Sequence, residues 1–174
     1  TEERASQAAK TFQTPYYFTD HRKMLELKSI DAVSIVTPPE LHLPMVVDSL
    51  MAGKHVLCEK PFALNGIEAQ RMADLALKTQ LTTMITHEFR WAPQRAFVKE
   101  LLDEGFLGEF KFGELSLFTG PHDGIKPRAF AWGLDSSKGG GFLFALGSHY
   151  IDALFHWFGT VSEVEGKVWT NYPD

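Results

Sequence analysis

Lys60 stands between Glu59 and Pro61, directly after the apolar run His55-Val56-Leu57-Cys58, which itself follows Ala52-Gly53-Lys54. A helix end, a tight Gly turn and a short buried strand thus deliver an ammonium to the carboxyl end of a strand. Open α/β sheets bind their ligands outside that end. Pro61 biases Lys60 away from helical geometry, which stops the strand there, and it permits a cis bond. An amine so placed can act beside a cofactor as a hydrogen-bond donor or a proton carrier. The bland alternative is a surface ion pair at a strand end.

Three further constellations carry possible chemistry. Thr37-Pro38-Pro39-Glu40-Leu41-His42 lies where a strand gives way to a helix. Its two prolines stiffen the turn and leave an apolar surface suited to a planar ring or a sugar. The same residues also read as an ordinary loop with Pro in the first helical turn, and His42 as a helix-surface residue. Gly139-Gly140-Gly141 leads to Gly147-Ser148-His149, with Asp152 and His156 beyond. The spacing i, i+3, i+7 puts His149, Asp152 and His156 on one helix face. Such a face can hold a metal, or one titrating imidazole oriented by Asp152. The second reading is preferred: no metal is assigned, and His156, between Phe155 and Trp157, reads as a packing residue. The structural alternative is a helix capped by Ser148 with His149 half-buried. Arg90-Trp91-Ala92-Pro93 follows another strand. Arg90 there can grip a phosphate or carboxylate bidentately, or form a salt bridge at a domain boundary.

These residues need a scaffold, and the apolar pattern supplies one. Glu2 to Lys10 has helical composition, and Tyr16-Tyr17-Phe18 reads as a short strand. Thr19-Asp20 can cap a helix through Leu27. Asp31 to Val36 is an apolar, β-branched run, a buried parallel strand by composition. Glu40 to Ala52 is an amphipathic helix stopped by Gly53, and His55 to Cys58 is the next strand. Asn65 caps a helix to Thr79, Leu81 to Thr86 is a strand, and Pro93 to Leu102 is a helix. The alternation predicts a doubly wound parallel sheet. The rhythm then changes. Phe110 to Phe118 alternates like a longer strand, Thr119 to Gly140 is loop-like, Phe142 to Phe158 has helical spacing, and Val161 to Thr170 is a further strand candidate. The expected division is residues 1–94, α/β, and residues 95–174, α+β.

Composition narrows the class. The chain has 174 residues, 44% hydrophobic and 22% charged, as globular proteins do. A net charge of −5 argues against nucleic acid as the main partner. The single cysteine, Cys58, excludes an internal disulfide framework and fits a reducing, cytoplasmic setting, where it reads as a small buried hydrophobe. No run long enough for a transmembrane helix occurs, and the polar Thr1 to Lys10 is no signal peptide, so no membrane partner is expected. Both ends read as cut from a longer chain. No Gly-x-Gly-x-x-Gly occurs; Gly139-Gly140-Gly141 is no substitute, because no strand leads into it.

Taken together, Thr37-Pro38-Pro39 with His42, the segment Ala52 to Pro61, and Gly-Gly-Gly leading to Gly147-Ser148-His149 and Asp152 resemble the glucose-fructose oxidoreductase/inositol dehydrogenase/rhizopine-catabolism (Gfo/Idh/MocA) family. Arg90-Trp91-Ala92-Pro93 is similar to that family's Arg-Phe-x-Pro. The likeness spans about residues 15 to 165. It implies a partial Rossmann fold followed by part of an α+β, mostly antiparallel-sheet domain. It also implies NAD or NADP as cofactor, a sugar, cyclitol or related polyol as substrate, and a homo-oligomer. By the same resemblance, Thr37, Pro38, Pro39, His42, Glu59, Lys60 and Arg90 are the expected cofactor-binding residues. Lys60 and His149 are the expected catalytic pair, with His149 as acid/base. The family's first strand and Gly-rich turn would lie upstream of Thr1. The family often has Asp four residues before the His, and here that residue is Ala145. Three readings stay open: catalysis without the Asp, altered chemistry, or a non-catalytic member that binds nucleotide or sugar as a sensor or partner subunit.

Overall fold

The structure is a computed structural model that describes residues 1–118 and 132–168. Residues 119–131 of the expected loop and 169–170 of the expected last strand lie outside the described residues. Two compact units result, one from Thr1–His87 with Thr119–Ser148 and one from Glu88–Phe118 with His149–Asp174.

In the first unit the apolar runs become three strands, β1 (Ala32–Ile35), β2 (His55–Glu59) and β3 (Thr83–Thr86). They form one parallel sheet in the order β1-β2-β3, with Ile35 beside Cys58 and Glu59 beside Thr86. Helices precede and connect them: α1 (Glu2–Phe12), α2 (His21–Leu25), α3 (His42–Met51) and α4 (Gly66–Thr79). Parallel neighbours joined in sequence order by right-handed crossovers put both connecting helices on one face. Accordingly α3 packs on β1, β2 and α4.

Local signals explain the boundaries. The Asp20 carboxylate accepts from Arg22 N at 3.0 Å to cap α2. At α4, Asn65 Oδ1 accepts from Glu68 N (3.0 Å) while Glu68 Oε2 accepts from Leu64 N (3.1 Å), a reciprocal cap. At the end of α3, Gly53 N donates to Leu50 O and Lys54 N to Ser49 O, both at 3.0 Å. Gly53 has φ 75°, a left-handed turn that glycine adopts without steric cost. That turn sends the chain straight into β2, and so sets where Lys60 emerges.

The core lies between the sheet and its helices. Val33, Ile35, Val56 and Cys58 face Val46, Leu50 and Met72, all buried. Burial alternates along β1 and β2, so one sheet face is covered and the other is open among the described residues. On the open face Ser34, Leu57 and Met84 lie in register, with Leu57 36% and Met84 52% exposed. The expectation of a fully buried β1 is therefore corrected: only alternate residues, Val33 and Ile35, are covered. Tyr16-Tyr17-Phe18 is also not a strand; it is irregular and lines a groove with Met24, Ile30 and Met45.

The second unit holds a 3-10 turn, Glu88–Trp91, then α5 (Pro93–Asp103), and most of α6 (Ser148–Phe158). Phe110 stacks on Phe158 with ring centroids 4.1 Å apart. Residues 110–118 and 161–168, both expected as strands, are irregular. Their alternation is strand-like, but a strand needs a neighbour to satisfy its backbone groups, and no described segment pairs with either. A five-residue π-helix, Leu143–Gly147, precedes α6. Ser148 therefore does not cap a helix start; its Oγ donates back to Phe144 O at 2.8 Å. Among the described residues no helix is long and apolar enough to cross a membrane.

Candidate active site

In the first unit, the expected residues cluster at the carboxyl ends of β1 and β2. Thr37 follows β1, and Pro38 leads into a 3-10 turn, Pro39–Leu41. Pro39 is fully buried. A Cβ on Gly139 would lie 2.9 Å from Pro39 Cβ and 3.0 Å from Leu64 Cδ2, so only the bare backbone of the Gly-Gly-Gly segment fits against Pro39. The glycines thus serve close packing over the Thr-Pro-Pro turn, and Pro39 itself presents no open surface.

His42 is likewise not on the helix surface. It is fully buried at the start of α3, with Nε2 2.9 Å from Thr37 O and Nδ1 3.2 Å from Phe62 O. A neutral imidazole carries one N–H, which donates to one of these carbonyls while the ring packs against the other, so His42 links the turn after β1 to the chain that leaves β2. It positions the strand ends from beneath.

Glu59 ends β2, and its carboxylate accepts from Lys60 N at 3.1 Å. The Lys60–Pro61 peptide bond is cis. Lys60 Nζ donates to Ala145 O at 2.9 Å. Ala145 lies in the π-helix, where wider winding displaces carbonyls from the regular ladder. The residue that lacks the expected carboxylate therefore gives Lys60 a main-chain acceptor instead. Cys58 is 1% exposed, and burial, with a smaller effect of the Glu59 charge, pushes its thiol pKa up to about 12. It is an inert core residue.

In the second unit, three consecutive residues of the 3-10 turn after β3 grip the first turn of α6. Glu88 Oε1 lies 3.8 Å from His149 Nε2. The Phe89 ring stacks on the His149 ring at 3.9 Å with an interplanar angle of 16°. Arg90 holds Asp152 bidentately, Nε to Oδ2 and Nη2 to Oδ1, each at 2.7 Å. The hydrogen bond to Asp152 raises the Arg90 pKa above its ordinary value. Arg95 of α5 lies 4.7 Å from the ring centroids of both Phe89 and Tyr150. His149 is 2% exposed.

Two expected residues meet here. Asp152, expected to orient His149, takes the Arg90 guanidinium. Arg90, expected to hold an anion of the cofactor, has the fork of its guanidinium turned to Asp152, the salt-bridge alternative. Glu88 and Phe89 were not singled out from sequence. The signal that reaches them is positional: they follow closely on the end of β3 in the sequence. Among the described residues no group of three or more His, Cys, Asp or Glu side chains is placed to hold a metal ion.

Known proteins resemble this chain in sequence and fold. A family model for GFO/IDH/MocA, described as an oxidoreductase family with an NAD-binding Rossmann fold, matches residues 1–87. A second, for the GFO/IDH/MocA C-terminal domain, matches residues 96–174. An uncharacterized oxidoreductase of Synechocystis is 36% identical over 154 residues, 88% of this chain and 41% of that protein. Levoglucosan dehydrogenase of Pseudarthrobacter phenanthrenivorans is 30% identical over 174 residues, 99% of this chain and 44% of the enzyme. A solved levoglucosan dehydrogenase in complex with NADH and levoglucosan matches with a TM-score of 0.81 at 27% identity, over 91% of this chain and 43% of that one. The chain thus spans less than half the length of these relatives. With matches to both domains, and the first covering half its length, the chain belongs to the Gfo/Idh/MocA family of oxidoreductases with an NAD-binding Rossmann fold.

Proposed function

We propose that the protein transfers hydride between a nicotinamide cofactor and a carbinol or carbonyl carbon of a sugar, cyclitol or related polyol. The observation that carries this reading is Lys60 at the carboxyl end of β2, its ammonium anchored on Ala145 O, in a chain of an NAD-binding family.

The residues present fit one end of the cofactor. Thr37, Pro38, Glu59 and Lys60 line neighbouring parallel strand ends, the edge where open α/β sheets take ligands. Glu59 and Thr37 offer oxygen acceptors there, and Lys60 offers N–H donors. The sequence has no Gly-x-Gly-x-x-Gly to supply the main-chain N–H cradle that a pyrophosphate needs. When bound, the nicotinamide ring accepts or supplies the hydride.

The protein's own groups handle the proton and the oxygen. Lys60 Nζ, steadied by Ala145 O, directs its remaining N–H donors at the substrate oxygen and favours its anionic form. His149 takes the hydroxyl proton as the carbon is oxidised, or returns it on reduction. His42 and Pro39 act at a distance, by fixing the Thr37-Pro38 turn.

The substrate class extends from relatives described as acting on levoglucosan or bound to L-sorbose. The test is NAD(H) turnover with levoglucosan, L-sorbose, other ketoses and inososes. Lys60→Met and His149→Ala should each lower turnover by about two orders of magnitude or more. Near-normal turnover in both variants would end the proposal. Ala145 favours one rival, a non-catalytic member, whose mark is NADH and sugar binding with no turnover on any of these compounds.

A further inference from the structure

His149 sits in a family position where a carboxylate four residues earlier is usual, and this chain has Ala145 there. From the structure we infer that Glu88 supplies the missing carboxylate, with Phe89 as its platform, making both positioning residues for His149. The inference rests on the hydride-transfer reading given above.

The geometry is compact. Glu88 Oε1 is 3.8 Å from His149 Nε2, and Phe89 lies flat on the same imidazole at 3.9 Å. A stacked aromatic face fixes the plane of the ring and leaves its edge to a polar partner. An anion beside that edge favours the protonated form of the imidazole. That is the form His149 passes through whenever it holds the substrate's proton. The next residue, Arg90, clamps Asp152 one helical turn further on. Glu88-Phe89-Arg90 therefore fixes the start of α6 in position, tilt and charge with three successive side chains. Arg95, over Phe89, closes the far side of this group.

A proton balance follows without further reagents. As the carbinol carbon gives up hydride, the hydroxyl proton passes to His149, and the imidazolium formed is held by the Glu88 carboxylate. The proton ends on His149, and no bond to Glu88 is made or broken; the Glu88 side chain is half-exposed (54%).

The test compares wild type with Glu88→Gln, a variant of equal shape that lacks only the charge. The primary readout needs no turnover: the midpoint at which the His149 ring resonances titrate by NMR, at low ionic strength. Among the described residues of the second unit, the other charged or titratable groups on the elements packed here are Asp152 with Arg90, Arg95 and Tyr150. All are shared by the two proteins, so the difference reports on Glu88. The midpoint should fall by about half a pH unit or more, as a charge at this separation near water predicts. In turnover, kcat should fall on the order of tenfold while KM stays within about twofold, since the charge acts on the proton-holding ring and not on substrate binding. An unmoved midpoint overturns the inference. A lowered midpoint with unchanged kcat also overturns it, leaving a purely structural contact. A midpoint lowered in Glu88→Gln, together with a wild-type protein that turns over no polyol, upholds the pairing and ends the hydride-transfer reading instead.

Discussion

Replacing His42 tests how the strand ends are held. The side chain is fully buried and bridges Thr37 O and Phe62 O at 2.9 and 3.2 Å. In His42→Ala, the lost hydrogen bond and the part-buried carbonyl left without its donor cost about 2 kcal/mol. The void left by a fully buried ring adds roughly 2 kcal/mol. The sum is about 4 kcal/mol, and in a chain of this size that lowers Tm by roughly 8–16 °C. His42→Gln retains an amide donor and part of the volume, so it should lose about half as much. Urea unfolding followed by far-UV circular dichroism measures both. NADH affinity should weaken in parallel, because Thr37 and Pro38 lose their support. A loss below about 1 kcal/mol in His42→Ala would refute the reasoning, since it would mean that neither carbonyl relied on the ring.

Two further predictions concern single side chains. Cys58, with its pKa pushed up to about 12 by burial, should resist iodoacetamide at neutral pH in the folded protein and react fully once unfolded; labelling of the native state would contradict its burial. Asp48 accepts from Arg22 Nε at 3.0 Å and lies 2.8 Å from His21 Nε2, and these contacts, Arg22 first, hold its pKa below the usual value. A lowered native pKa adds stability above the unfolded pKa and loses it as pH falls through the native one. Asp48→Asn should therefore lower Tm at neutral pH, and the difference from wild type should shrink below about pH 4. A difference that does not change with pH would contradict the assignment.

Much of the scaffold could be read from the chain because local rules and packing agree there. The runs 31–36 and 55–58 are followed within three residues by prolines, Asn65 precedes Glu68 by three residues, and Gly53 follows an amphipathic helix; each signal leads to the element found. The strand reading of 110–118 rested on alternation alone. Alternation shows which face a strand would present, but not whether a neighbour exists to pair with it. Within the site, Lys60 was legible because Pro61 and the strand fix its place. His42 and Asp152 were not. Whether a histidine at the start of a helix faces water or two carbonyls depends on the turn after β2, some twenty residues away. Which charge Asp152 meets depends on Arg90, sixty-two residues earlier. Glu88 escaped notice because one carboxylate at a strand end is common, and only the ring beside it gives it meaning.

The central claim is hydride transfer with Lys60 at the reacting oxygen. It is tested most directly by incubating the protein with NADH deuterated at C4 and a ketose, then locating the label by mass spectrometry and NMR. Deuterium should appear on the new carbinol carbon, and Lys60→Met should form this product about a hundredfold more slowly or worse. Binding of both ligands without deuterium transfer in the wild type, or equal transfer in Lys60→Met, would contradict it.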